Sequence, residues 1–150
     1  MATSQIQIDL PPGHVFAVLA TPATYADWVV GSDSIRGHDE NWPAVGSRFY
    51  HRVGWGPFKV KDHTEVVEVD PPRKLVLHAR ARPVGTALVT FLLEPRDAGT
   101  YVTIIEDGGD PLSRLSINRL TDPLVKKRND VTVRRLKRIA ETGVVIPDKL

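Results

Sequence analysis

The chain has 150 residues, 41% of them hydrophobic and 25% charged, with a formal net charge of +2 and no cysteine. That length suits one domain, 1–150, burying about 70% of its unfolded surface, with no need of metal or disulfide to fold. The missing thiols exclude disulfide staples, zinc–cysteine sites and thiol nucleophiles, and they suit a reducing cytoplasm.

The opening MATSQIQIDL reads as no signal peptide, and no segment reaches the ~20 apolar residues of a membrane span. Ile6, Ile8 and Leu10 alternate with Gln5, Gln7 and Asp9, the pattern of a half-buried strand, which Pro11-Pro12-Gly13 ends. A short helix is expected through His14–Ala20, since proline is tolerated in a first helical turn. Thr21-Pro22 predicts an N-cap and a first-turn proline, opening a second short helix through Tyr25, Ala26 and Trp28. Residues 31–46 hold no sustained period and many turn formers. They read as a long loop, of a length that usually signals function or mobility.

Five strands are predicted next: Ser47–Val53, Phe58–Val69, Lys74–Arg82, Thr86–Glu94 and Thr100–Asp107. The breaks between them are short and rich in glycine, proline or aspartate, which makes successive strands antiparallel neighbours. A polar stretch over 108–118 leads to a helix from Leu120 to Thr142. There Val125, Thr132, Leu136 and Ile139 share one side, with Asn129 and Ala140 at its edge. Gly143 is placed as the C′ stop, leaving 143–150 as a short tail.

Strand parity assigns side chains to faces. One face collects Phe49, His51 and Val53 from the first of the five strands, then Phe58, Val60, Asp62, Thr64 and Val66. Leu75, Leu77, Ala79 and Ala81 follow, then Val89, Phe91 and Leu93, then Val102, Ile104 and Glu106. The division is less clean in the last two strands, where Leu88, Leu92 and Ile105 take the other parity. This mostly apolar set forms the face for the last helix, and His51, Asp62 and Glu106 share it. Charged groups on such a face are costly unless paired or wetted, so their placement is informative.

One strand, two short helices, five antiparallel strands and a long helix, in that order, resemble the helix-grip fold of the START/Bet v 1-like superfamily. The local features are Ile8-Asp9-Leu10-Pro11, Phe16, Trp28, Val45-Gly46, the run Val66–Pro72 with Leu75, and Gly99-Thr100-Tyr101-Val102-Thr103. The chain is similar to the bacterial polyketide cyclase/dehydrase-like branch over nearly its whole length. The resemblance implies an α+β domain whose curved antiparallel sheet of about six strands wraps the C-terminal helix. It also implies a cavity between them for a small hydrophobic molecule (a lipid, polyketide or aromatic metabolite). It implies no single reaction.

The expected lining is Trp28, Trp42, Phe49, His51, Val53, Val60, Asp62, Leu77, Ala79, Phe91, Ile104, Glu106, Val125, Asn129 and Thr132. Trp28 reads as core closure and Trp42, in the long loop, as a lid. Asn129 needs hydrogen-bond partners, which are a ligand, Glu106 or a backbone carbonyl. Two alternatives stand beside a binding module. In a cyclase, aromatase or dehydratase, Asp62 or Glu106 takes a proton alpha to a carbonyl while His51 or Arg128 steadies the enolate. In an interaction module, sheet and helix recruit a protein or a membrane surface. The bland reading of the three polar groups is a buried ion pair.

The basic residues Lys126, Lys127, Arg128, Arg134, Arg135, Lys137 and Arg138 read as a solvated helix face that complements the helix dipole. No nucleic-acid partner is expected from so small a net charge. The histidines at 14, 38, 51, 63 and 78 show no metal-ligand spacing, and Gly108-Gly109 lacks a phosphate-loop context, so neither metal nor cofactor is expected. Ser113 and Ser116 have no nucleophile-elbow motif.

Overall fold

The computed structural model describes residues 1–30, 32–55, 57–81, 85–112 and 122–143. The first strand, β1 (Ala2–Ile8), leads through α1 (Pro12–Leu19), a 3-10 turn at Pro22–Thr24 and α2 (Tyr25–Trp28). A meander follows: β2 (Ser32–His38), β3 (Arg48–Trp55), β4 (Phe58–Asp70), β5 (Lys74–Ala81), β6 (Gly85–Arg96) and β7 (Gly99–Gly108). The helix α3 (Asp122–Thr142) closes the order. All pairings are antiparallel, in the sheet order β1-β7-β6-β5-β4-β3-β2. The crossover through α1 and α2 thus carries the chain from one edge of the sheet to the other, and the meander brings it back beside β1.

The sheet has seven strands rather than about six, because residues 32–38, expected as loop, form β2. Its pairing with β3 shifts register between Ser32 and Ser34 and again between Ile35 and Gly37. Bulges insert unpaired residues and interrupt the alternation of faces, which is why SDSIRGH shows no period. A further shift between Val66 and Glu68 leaves both Val67, 48% exposed, and Glu68 outward and lets Val69 share a face with Leu75.

Helix α3 lies along β1 and is tied to it end to end. The Met1 amino group donates to Asp122 at 3.0 Å, Ser4 Oγ to the Lys126 carbonyl at 3.3 Å, and Lys137 Nζ to the Gln7 carbonyl at 2.9 Å. Beyond the strand, the Asp9 backbone N–H donates to Glu141 at 2.9 Å. The helix buries Asn129, Thr132, Val133 and Leu136, an i, i+3, i+4, i+7 stripe. Asn129, expected at the edge of that stripe, lies in it, and Val133 joins it. Gly143, with φ 64°, ends the helix by donating its N–H to the Ile139 carbonyl at 2.8 Å, as expected of a C′ glycine.

Gly99 explains part of the motif that opens β7. A Cβ there would sit 2.2 Å from the Ile8 carbonyl oxygen, so only glycine lets the end of β1 approach so closely. Beside it, Thr100 Oγ1 donates to the Leu10 carbonyl at 2.7 Å.

The core gathers at one end of the grip, beneath α1, α2 and the C-terminal half of α3. Trp28, Leu19, Ile8, Leu75, Leu93, Val102 and Leu136 are all at 0–1% exposure. Tyr25, Trp28, Trp42, Phe49 and Phe91 interlock edge to face or tilted, with neighbouring ring centroids 4.5–6.0 Å apart. Their polar atoms are satisfied locally. Tyr25 OH and Trp42 Nε1 both donate to the Leu19 carbonyl, at 2.7 and 3.1 Å, and Trp28 Nε1 donates to Thr24 Oγ1 at 3.0 Å.

Candidate ligand-binding site

Cross-strand register sorts the concave face into rows. Leu75, Phe91, Ile104 and Ser4 form one row, all buried. The next holds Val66, Leu77, Val89, Glu106 and Ala2. The third is Thr64, Ala79, Ala87 and Gly108, in which three adjacent strands carry nothing larger than a methyl group. Side-chain bulk therefore falls away row by row toward the N-terminal end of α3. Val60, Ala79, Ala87 and Val89 face the helix side yet stay only half-buried. Among the described residues the principal contacts of α3 are with β1, β7, α1 and α2. The half-buried side chains of this end mark the candidate ligand space.

Two polar groupings border it from opposite sides. On the β7–α3 side, Glu106 is buried, its side chain 8% exposed, and is bound to the Arg128 guanidinium, itself 42% exposed. Its other oxygen accepts a hydrogen bond from Asn129 Nδ2 at 3.3 Å. Glu106 thus has the buried-pair arrangement that was one reading of it, and it is the partner of Asn129. On the β3–β4 side, His51 pairs in register with Asp62, and Phe49 with Thr64. Asp62 accepts a hydrogen bond from the His63 backbone N–H at 2.9 Å and lies 3.5 Å from His63 Nδ1.

His51 is 3% exposed, with its ring centroid 5.7 Å from that of Phe49. Its Nδ1 is buried with no hydrogen-bond partner among the described residues. Burial pushes the His51 pKa down, against the opposing pull of Asp62, so the imidazole is neutral near pH 7. A neutral imidazole offers one donor and one acceptor nitrogen. An orphaned buried nitrogen is costly unless a ligand or water meets it.

The fifteen expected lining residues separate into groups. Trp28, Trp42, Phe49, Leu77, Phe91 and Ile104 are buried in the core. His51, Val60, Asp62, Ala79, Glu106 and Asn129 lie on the helix side of the sheet or on the facing side of α3, and Val125 is half-buried on α3. Thr132 is structural, since its hydroxyl accepts the Val30 backbone N–H at 3.2 Å and ties α2 to α3. The Val53 side chain lies outside the described residues. Trp42 requires a correction: it is no lid but a core residue, 8% exposed and anchored to Leu19. Its indole fills the space between Tyr25 and Phe49, which a loop composition could not reveal. Sequence reasoning passed over Ala87 and Gly108, whose only signal is the register that aligns them with Ala79.

On the outer side, an open groove of about 440 Å³ lies among Gln5, Ile6, Gln7, Arg96, Asp97 and Tyr101. Its polar lining suits an apolar ligand poorly. Among the described residues no three His, Asp or Glu side chains gather to hold a metal, and no helix is long and apolar enough to cross a membrane.

Solved structures share this architecture. A protein from Nitrosomonas europaea superposes with a TM-score of 0.71 at 18% identity, over 95% of this chain and 94% of its own. One from Mesorhizobium loti gives 0.67 at 24%, over 95% and 98%. DynU16, encoded in the dynemicin biosynthetic locus, gives 0.67 at 19%, over 96% of this chain and 48% of its own. At such identities the likeness establishes the fold alone. Among curated proteins no sequence match is found. The model of the family described as polyketide cyclase / dehydrase and lipid transport matches residues 2–141. The chain belongs to that family.

Proposed function

We propose that this protein binds a small, mainly apolar molecule in the hollow bounded by β3–β7 and the N-terminal half of α3. The observation that carries this reading is the aligned row Ala79, Ala87 and Gly108, flanked by half-buried Val60 and Val89, beside a core packed to 0–1% exposure. Interiors are normally close-packed, so apolar side chains held open beneath a helix suit an occupant. The family, which includes both lipid carriers and cyclases, supports an apolar ligand without naming it. The cysteine-free sequence suits a cytoplasmic site of action.

One observation favours a second reading, acid–base catalysis of a cyclisation or dehydration. The buried Nδ1 of His51 has no hydrogen-bond partner among the described residues, and burial, which lowers the pKa, keeps the ring in the neutral form that can accept a proton. Glu106 suits the role of base less well, because both of its oxygens are engaged. Binding is tested by thermal shift and by native mass spectrometry of the purified protein. A true ligand raises Tm with the logarithm of its concentration. A panel of apolar metabolites that leaves Tm unmoved, with no co-purified mass, rules the binding reading out. His51→Ala separates the two readings, since a catalyst loses turnover while retaining most of its affinity.

A further inference from the structure

We propose that the outer face of the sheet over β2–β5, turned away from α3, is a docking surface for an acidic segment of a partner protein.

Strand register places its residues. His51 and Asp62 face the helix side, so the next pair, Arg52 and Lys61, faces outward, as does the pair Tyr50 and His63. Arg80, one residue beyond the Thr64–Ala79 pair and paired with Thr86, continues the outward row on β5. Arg36 of β2 lies over the Tyr50 ring, its guanidinium carbon 6.0 Å from the centroid. Arg36 and Lys61 are exposed, and Arg52 and Arg80 are half-buried.

The charges of this group are not matched from within. Other basic residues have carboxylate partners: Arg48 has Glu65 at 2.9 Å, Lys74 has Glu68 and Lys126 has Asp130, both at 3.0 Å, and Arg128 has Glu106. Among the described residues Arg52, Lys61 and Arg80 enter no ion pair, and Arg80 Nε is buried without a hydrogen-bond partner. Arg36 donates to two backbone carbonyls, of His51 at 3.4 Å and Asp62 at 3.2 Å, which hold its position without neutralising it. The positive field reaches His63. Desolvation lowers its pKa, and the charges of Arg48 and Arg80 push the same way, against Asp62 and Glu65.

The composition points to a protein partner. Three arginines to one lysine supply planar forks that pair carboxylates in two-pronged fashion, and arginine with tyrosine is the pairing that dominates protein interfaces. Neighbouring strands about 4.8 Å apart, with like-facing residues about 7 Å apart along each, put the cations within reach of one acidic segment. A bilayer fits less well, because the protruding apolar side chains Met1, Val45, Val67, Leu112 and Leu124 all stand off these rows and none anchors there. Nucleic acid fits less well too. The patch is bounded on β3 by Asp39, which accepts from Tyr50 OH at 3.4 Å, and by Glu65, so it is short for a run of phosphates.

The test is the fluorescence anisotropy of a labelled octaglutamate peptide mixed with the intact chain at low ionic strength. Saturable binding is expected, weakened at least tenfold in Arg52→Gln/Lys61→Gln and less than twofold in Lys127→Gln/Arg134→Gln on α3. Added salt should weaken it steeply. No saturable binding, or equal losses in the two double variants, overturns the docking surface. Tighter binding of an octathymidylate, or of phosphatidylglycerol vesicles, overturns the acidic-protein assignment. Thermal unfolding checks that each variant is folded. Should Arg52→Gln/Lys61→Gln not fold, Lys61→Gln alone, at an exposed position, should still weaken the peptide at least twofold, and no weakening overturns the proposal.

Discussion

The two ends of the grip are built from the same strands, in the same register, yet behave oppositely. At one end the row Leu75, Phe91 and Ile104 meets Trp28 and the α1–α2 helices and is buried to 0–3%. Two rows away, the aligned residues are Ala79, Ala87 and Gly108, and the two alanines are only half-buried. The backbone hardly distinguishes them; side-chain volume does. A sheet that fills its concave face with large residues makes a core, and one that tapers to alanine and glycine beneath a helix makes a receptacle. Tyr25, Trp28 and Trp42 at the packed end are tied to backbone or a neighbouring hydroxyl, whereas His51 Nδ1 at the other end has no partner among the described residues.

The sharpest way to break this contrast is to empty a packed position. Trp28→Ala should cost about 3–5 kcal/mol, as large aromatic-to-alanine changes in close-packed cores do. Denaturant unfolding measures it, and a loss below about 1 kcal/mol would mean that this end is not packed as described. Next comes the polar border. Arg128→Met leaves the buried Glu106 carboxylate without its cation and should cost about 2 kcal/mol, discounted because Arg128 is itself half in water.

Filling the open end should have the smaller effect on folding and the larger effect on ligand. Ala87→Leu should change stability by less than about 1 kcal/mol, where overpacking a full core costs about 1–3 kcal/mol. The same substitution should weaken any apolar ligand at least tenfold, as read by thermal shift.

The smallest effect is the pH dependence. Burial lowers the folded-state pKa of His51 below the unfolded value of about 6.5, so the unfolded chain takes up the proton first. The contribution of the neutral ring is therefore complete above that value and is lost as pH falls through it. His63 is shifted in the same direction, chiefly by desolvation. Unfolding free energy should fall as pH drops below about 6.5, and in His51→Asn it should fall less steeply. An identical slope in the two proteins would show that His51 is not held neutral by burial.

Much of this division was legible in the sequence, because period-2 alternation from Phe49 to Leu93 depends only on which residues share a face. The strand register puts His51, Asp62 and Ala79 on the one face that alternation assigns them. Strand β2 was hidden by its two register shifts, and the parity of β7 was settled only by the pairing of Glu106 with Val89. The alignment of Ala87 and Gly108 with Ala79 depends on where each hairpin turns, which single-strand patterns do not encode. Trp42 was misjudged because local composition reports a loop, while its burial depends on Tyr25 and Phe49, distant in the chain.

Methyl-resolved NMR during titration with 2-naphthol reads the ligand's position residue by residue. Shifts are expected on Ala79, Ala87, Val89 and Val60, with the methyls of Leu75, Leu93 and Leu136 unmoved. Saturable binding that leaves the first four unchanged, or shifts confined to the outer groove around Gln5 and Tyr101, would contradict it.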